Sequence, residues 1–133
     1  MAVNPDYLVW VSLPDPFHDK LEQRLRESKW HFQPYLGLSE MLADLSYLHS
    51  HSATLLPAGT YAVSSLIPQE GAELNWEQVF SQELTIHSLR LPRTVPPDRV
   101  FSHASYFMER DARPIPIKTA QAYEAGDQIC LFL

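Results

Sequence analysis

One cysteine, four glycines, no basic excess and no long apolar run set the first limits on this 133-residue chain. A lone Cys130 cannot build an intramolecular disulfide framework and fits a reducing compartment. No apolar stretch approaches the length of a membrane span. The opening Met1–Asp6 lacks the basic start and apolar core of a secretory leader. Together these point to a soluble, cytoplasmic protein. The scattered glycines leave no glycine-rich phosphate loop. Ten Lys and Arg against sixteen Asp and Glu give a net charge of −6. That balance argues against a free-standing nucleic-acid binder, which carries a basic footprint. What is abundant is proline: eleven residues, signalling stiff loops and strand ends rather than flexible linkers. The length and the 45% hydrophobic content suffice for one domain with a core.

Tyr7–Leu13 is β-branched and aromatic, is stopped by Pro14, and reads as a strand buried on both faces. Asp15 and Pro16 supply an N-cap and a first-turn proline. Phe17, Leu21 and Leu25 recur every four residues and predict one buried helical stripe, with Glu22 and Arg26 paired on another face. The helix should end near Ser28–Lys29, leaving Trp30–Leu36 extended or looped. Residues 39–51 are ambiguous: local propensity favours a helix, and a strand is the alternative. Residues 59–67 read as a strand ended by Pro68, residues 75–80 as a short helix or a loop, and 84–91 and 100–108 as strands. Ile115–Pro116–Ile117 is an edge strand at best, because proline cannot donate to a ladder. Gln121–Glu124, a turn at Ala125–Asp127 and Gln128–Leu133 form a closing hairpin. The expectation is an α+β domain. Residues 1–50 form its β-α-loop-β half and residues 51–133 a mostly antiparallel β region. One helix cannot cover both faces of such a sheet. The fold is therefore expected to be incomplete alone and to pack on another chain or a further segment.

The chemistry-bearing residues do not assemble an active site. His49 and His51 are two imidazoles where zinc needs three or four ligands. Cys130 alternates with Ile129 and Leu131 and reads as a core thiol. The pairs Glu22 and Glu27, and Glu70 and Glu73, read as solvated surface, as do Arg110 and Arg113. No metal or cofactor is implied. The polar candidates that stand out are cations beside aromatics. Lys29–Trp30–His31–Phe32 with Tyr35 offers rings for base stacking and charge for phosphate. The plainer alternative is a hydrophobic staple fixing the loop to the core. Arg90, Arg93 and Arg99, separated by prolines, form a second basic stretch suited to a phosphate backbone or an acidic protein surface.

Three blocks resemble a known family. They are Asn4-Pro5-x-Tyr7 before the capped helix, Pro34-Tyr35-Leu36-Gly37-x-Ser39-Glu40-x-x-Ala43, and the closing Tyr123-Glu124-x-Gly126-Asp127-x-Ile129. The chain resembles the C-terminal half of the Cas-five family, the CRISPR-associated subunits of type I Cascade. The Tyr-Leu-Gly block is the specific part. The resemblance implies a ferredoxin-like, RNA-recognition-type (RRM) fold with an added C-terminal β region. It also implies a subunit that caps the backbone filament, holds the 5′ handle of the crRNA, and serves antiviral defence or RNA-guided targeting. Its expected partners are the Cas-seven-type backbone subunit, the Cas-eight-type large subunit and the guide itself. The family's N-terminal half has no counterpart in this sequence, so a separate chain or a further segment is expected to supply it. One branch of the family cleaves precursor crRNA. Its nuclease residues are not recognisable here, and the expectation is a non-enzymatic subunit.

The expected RNA-facing residues are Lys29, Trp30, His31, Tyr35, Gly37, Ser39, Arg90 and Arg93. Gly37 would allow close backbone approach to the sugar-phosphate, and Tyr35 or Trp30 would stack a base. An acidic chain docked between proteins can still present a few cations to one RNA segment, with affinity coming from the assembly. Two rival readings are a protein-interaction module without RNA contact and a small metal-independent endoribonuclease using His31 as its base.

Overall fold

Every strand of the described structure lies beyond residue 50. The computed structural model describes residues 6–34, 42–94, 96–98 and 100–132. It divides into two units, Met1–Ser50 and His51–Leu133. The fold is α+β, with short antiparallel sheets and few helices.

The first unit holds α1 (Phe17–Glu27), ended by Ser28 in the left-handed conformation. Glu22 and Arg26 pair as expected, with Arg26 Nε donating to Glu22 Oε1 at 2.9 Å. The rest of this unit corrects the sequence reading. Tyr7–Leu13 is irregular rather than a strand. A strand needs a ladder neighbour to satisfy its N–H and C=O groups, and among the described residues no strand of this unit pairs with it. The apolar side chains stay outside instead: Tyr7, Leu8 and Val9 are all more than half exposed. Residues 43–52 are neither helix nor strand. The helix starts on Pro16 as its cap rather than on Asp15, with no side-chain cap bond. Its stripe of Phe17, Leu21 and Leu25 is not buried: Phe17 is exposed and the two leucines are half-buried. Among its described residues the unit has no sheet for that stripe to pack on. Among its described residues only Ala43 is buried.

The second unit buries a core. Its elements are β1 (Ala53–Leu55), β2 (Gly59–Val63), β3 (Ile67–Pro68), β4 (Glu73–Leu74), α2 (Trp76–Ser81), β5 (Ile86–Thr94), β6 (Ser102–Glu109), β7 (Ile115–Thr119), β8 (Tyr123–Ala125) and β9 (Gln128–Cys130). They form three-stranded sheets ordered β1-β8-β9, β2-β7-β4 and β3-β6-β5, all antiparallel. The expected strand over 59–67 is two strands. Ser64 N–H donates to Ile129 O and Ser65 Oγ accepts from Leu131 N–H, so this pair of serines steps the chain from one sheet to the next. The closing hairpin forms as read, with Gly126 at φ 65° in its two-residue turn.

Ile115–Thr119 is the largest correction. It is the central strand of its sheet, and Ile115, Pro116 and Ile117 are all buried. Asn75 N–H donates to Pro116 O at 2.9 Å. On an extended strand the nitrogen and carbonyl of one residue face the same side. The missing proline donor therefore faces the point where β4 has already given way to α2, beyond the last pair Leu74↔Ile117. No bond of the β2 ladder is lost. Val63, Ile67, Leu74, Ile115, Ile117, Ala122 and Leu131 make up the core around this strand. Cys130 is buried beside it, and burial pushes its thiol pKa up, as a core thiol requires.

Arg113 is not simply solvated, as the sequence suggested. It closes a clamp with Glu109, whose side chain is fully buried. Glu109 accepts from Thr85 N–H, Asp111 N–H and Arg113 N–H at 3.2, 2.7 and 3.0 Å, and from Arg113 Nη2 at 2.9 Å. The same guanidinium donates to Gln82 O and Glu83 O, the carbonyls that follow α2. One carboxylate thus ties the α2–β5 turn to the β6–β7 turn. Each of these turns carries a non-glycine residue with positive φ, Glu83 at 52° and Ala112 at 58°. Burial alone would raise the Glu109 pKa. The Arg113 N–H, its guanidinium and the N–H groups of Thr85 and Asp111 outweigh that and hold it at about 2.

A depressed carboxylate stabilises above its unfolded pKa, and that contribution is lost as pH falls through the folded one. The melting temperature should therefore fall from pH 4.5 towards pH 2. Glu109→Gln should melt several degrees lower at neutral pH and show a shallower acid limb; equal slopes would contradict the clamp. At the hairpin, a Cβ on Gly126 would meet His51 Nε2 at 2.9 Å. Gly126→Ala should cost about 1 kcal/mol or more in urea unfolding, from the positive φ and the close contact.

Candidate nucleic-acid interface

The sequence-derived candidates fall in both units. Lys29, Trp30 and His31 follow the left-handed cap at Ser28. Because the cap turns the chain out of α1, three consecutive side chains leave the helix together. Lys29 Nζ lies 2.7 Å from Glu27 Oε2, and that lysine, with Gln23, holds the Glu27 carboxyl below its usual range. The cation is therefore paired with the last residue of α1. Trp30 is half-buried. The His31 ring meets the Phe32 ring edge-on at 4.5 Å, and Phe32 is 80% exposed. Tyr35, Gly37 and Ser39 lie outside the described residues, as do Leu36, Glu40, Arg99 and the Asn4–Pro5 block. The two ends of their segment are joined: Ala43 N–H donates to Pro34 O at 2.9 Å, and Gln33 Nε2 reaches Ala43 O at 3.3 Å.

Tyr47 is the residue that sequence reasoning missed in this unit. Its hydroxyl accepts from Arg26 Nη2 at 2.9 Å and donates to Glu22 Oε1 at 3.1 Å, while the Arg26 guanidinium stands 4.5 Å over the Tyr47 ring. These contacts pin the irregular segment 43–50 against α1. They also bring Arg26 into a cation–π arrangement with the ring. The Arg26 hydrogen bond, with those from Ser50 and Tyr47, holds the Glu22 carboxyl below its usual range. Only the i,i+4 part of this cluster was visible in the spacing.

Arg90 and Arg93 stand on β5, which runs through Pro92 beside β6. Arg110 N–H bonds Thr85 O, so by alternation the backbone groups of Ile86, Ser88, Arg90 and Pro92 face the open side of the sheet. Proline thus blunts an exposed edge. Arg90 pairs in register with Ser105 and, among the described residues, makes no ion pair. Arg93 is the extra residue of a β-bulge, since Pro92 pairs His103 while Thr94 pairs Ser102. The bulge turns its side chain towards Glu70, 3.8 Å away. Arg93, Glu70, Gln69, His103 and two serines (102 and 105) line an open depression. The ribbon therefore carries one unpaired cation, one weakly paired cation and a row of hydroxyls. That set is chemically suited to phosphate oxygens. Lys29, Trp30 and His31 are consecutive in the loop after α1 of the first unit, and Arg90 and Arg93 share β5 of the second.

Comparison with protein-family models, with curated proteins and with solved structures finds no match to this chain.

If Tyr47 pins the segment to α1, Tyr47→Phe removes a hydroxyl that bridges two side chains, at about 1 kcal/mol. Tryptic cleavage within residues 20–29 should then speed up by about fivefold, since cleavage follows the open population. An unchanged cleavage rate would show that the bridge carries no stability.

Proposed function

We propose that this chain is a non-catalytic subunit of a type I CRISPR Cascade complex that helps hold the 5′ handle of the guide RNA. The specific family resemblance rests on the Tyr35-Leu36-Gly37 block. The observation that carries the assembly part of the reading is the packing of Met1–Ser50. Among its described residues only Ala43 is buried, while Tyr7, Val9, Phe17 and Phe32 are each at least 60% exposed. A unit in that state gains stability by burying apolar surface against a partner.

On this reading Tyr7–Leu13 becomes a strand of a ferredoxin-like sheet only when the complementary half is present, supplied by another chain or a further segment. Trp30 and Tyr35 stack bases, Gly37 lets the backbone approach the sugar-phosphate, and Arg90 with Arg93 neutralises phosphate. The backbone and large subunits provide the remaining affinity. The pairing of Lys29 with Glu27 favours one rival reading, in which the loop after α1 is a protein contact without RNA. RNA crosslinks within residues 29–40 support guide binding; protein-only crosslinks there support the rival. Cleavage of precursor crRNA that is abolished by His31→Ala would support the nuclease reading instead.

The direct test is retention of guide by the assembled complex. Trp30→Ala combined with Tyr35→Ala should lower crRNA co-purification by roughly tenfold, given about 1–3 kcal/mol for each stacked base. Undiminished retention would contradict the stacking role.

A further inference from the structure

Charge is segregated along the second unit. Residues 68–86 contain four glutamates (70, 73, 77 and 83) and no Lys, Arg or His. In the middle of that acidic stretch stands α2, with two large aromatics facing out. Trp76 is 54% exposed and Phe80 is 72% exposed. Their rings stack at 5.9 Å with an interplanar angle of 28°. The helix is seated in the protein through Val79, which is 2% exposed and lies next to the ridge on the helix surface.

Both ends of this short helix are fixed. At its start the Asn75 side chain accepts from Gln78 N–H, while the Asn75 N–H holds Pro116 O on the central strand. At its end Leu84 N–H bonds Val79 O, and Arg113 caps the carbonyls of Gln82 and Glu83. The aromatic ridge is thus preorganised, which lowers the ordering cost of docking. Trp and other aromatics on a rigid mount are the residue types that anchor protein interfaces. Glu77 on the helix itself, with Glu73 and Glu83 flanking the helix in sequence, disfavours RNA, whose phosphates would be repelled, and favours a cationic partner. Lysine and arginine also suit the exposed ring faces themselves.

We infer that the Trp76–Phe80 ridge is a protein-docking anchor that enters an apolar pocket rimmed by Lys and Arg on a neighbouring subunit. This rests on the Cascade reading above, and it assigns the acidic aromatic face to protein while the arginine-bearing ribbon is left for the guide.

The test uses the complex assembled from the backbone and large subunits, the guide and this chain. A photo-crosslinking phenylalanine analogue placed at position 80 should crosslink to a protein subunit, on a peptide containing Lys or Arg. Trp76→Ala with Phe80→Ala should reduce the amount of this chain retained by about tenfold or more, with its melting temperature held. Crosslinks to the guide or to a second copy of this chain would overturn the inference, as would equal retention of the double variant. If the double variant melts lower, Glu77→Lys decides the matter. Reversing one charge at the exposed rim should weaken retention at low salt and lose that effect at high salt; no salt-dependent loss overturns the anchor. If the unsubstituted chain never enters the complex, the Cascade reading fails and this inference fails with it. Retention of the unsubstituted chain with equal retention of the variants overturns the inference alone.

Discussion

Apolar surface has to be buried somewhere, and the two units meet that demand unequally. The second unit closes a core on β7, where Ile115 and Ile117 are almost wholly inaccessible. The first carries one β-prone stretch, Tyr7–Leu13, and buries almost none of it. Its order rests on a helix and a polar cluster of Glu22, Arg26 and Tyr47 rather than on packing. Surface polar contacts of this kind are each worth about 1 kcal/mol or less, while burying one large apolar side chain is worth about 1.5–3 kcal/mol. On the proposed reading, association with other molecules completes the first unit.

Within the second unit, a proline and a glutamate set the geometry that matters. Pro116 lets a buried strand end one of its ladders where α2 begins, and Asn75 uses the freed carbonyl as the seat of that helix. Glu109, through Arg113, fastens the other end of α2 and the start of β5. One clamp therefore positions two surfaces of opposite character. One is an acidic ridge with stacked aromatics; the other is a ribbon bearing Arg90 and Arg93. Burying Glu109 removes one carboxylate from the surface, and Glu73, Glu77 and Glu83 lie in and beside α2 in sequence, whereas Glu70 stands 3.8 Å from Arg93 on the ribbon.

The second unit was largely legible in the sequence because local signals there agree with the tertiary outcome. The alternation of 84–91 became β5, the Gly126 turn became the β8–β9 hairpin, and Cys130 is the core thiol its neighbours implied. Three features were hidden. The central position of β7 contradicts the usual meaning of proline, and it depends on Asn75, forty-one residues away in sequence. The clamp looks, in sequence, like an ordinary i,i+4 pair of charges. The step at Ser64–Ser65 follows from partners on β9 and just beyond it. In the first unit the reading was clear but its condition was not met. Val, Trp and Leu at 8–13 encode a strand, and a strand needs a ladder partner. Of the candidate site, the arginines were found by composition, whereas the bulge that aims Arg93 at Glu70 is a product of strand register. The specific loop motif falls mostly outside the described residues.

Amide hydrogen exchange, followed residue by residue on the isolated chain and on the assembled complex, measures the central claim most directly. The account predicts slow exchange through β2, β6 and β7 in both states. It predicts fast exchange across residues 7–13 and 42–50 in isolation, with strong protection gained there on assembly. Protection of residues 7–13 in the isolated chain equal to that of β7, and unchanged on assembly, would contradict it.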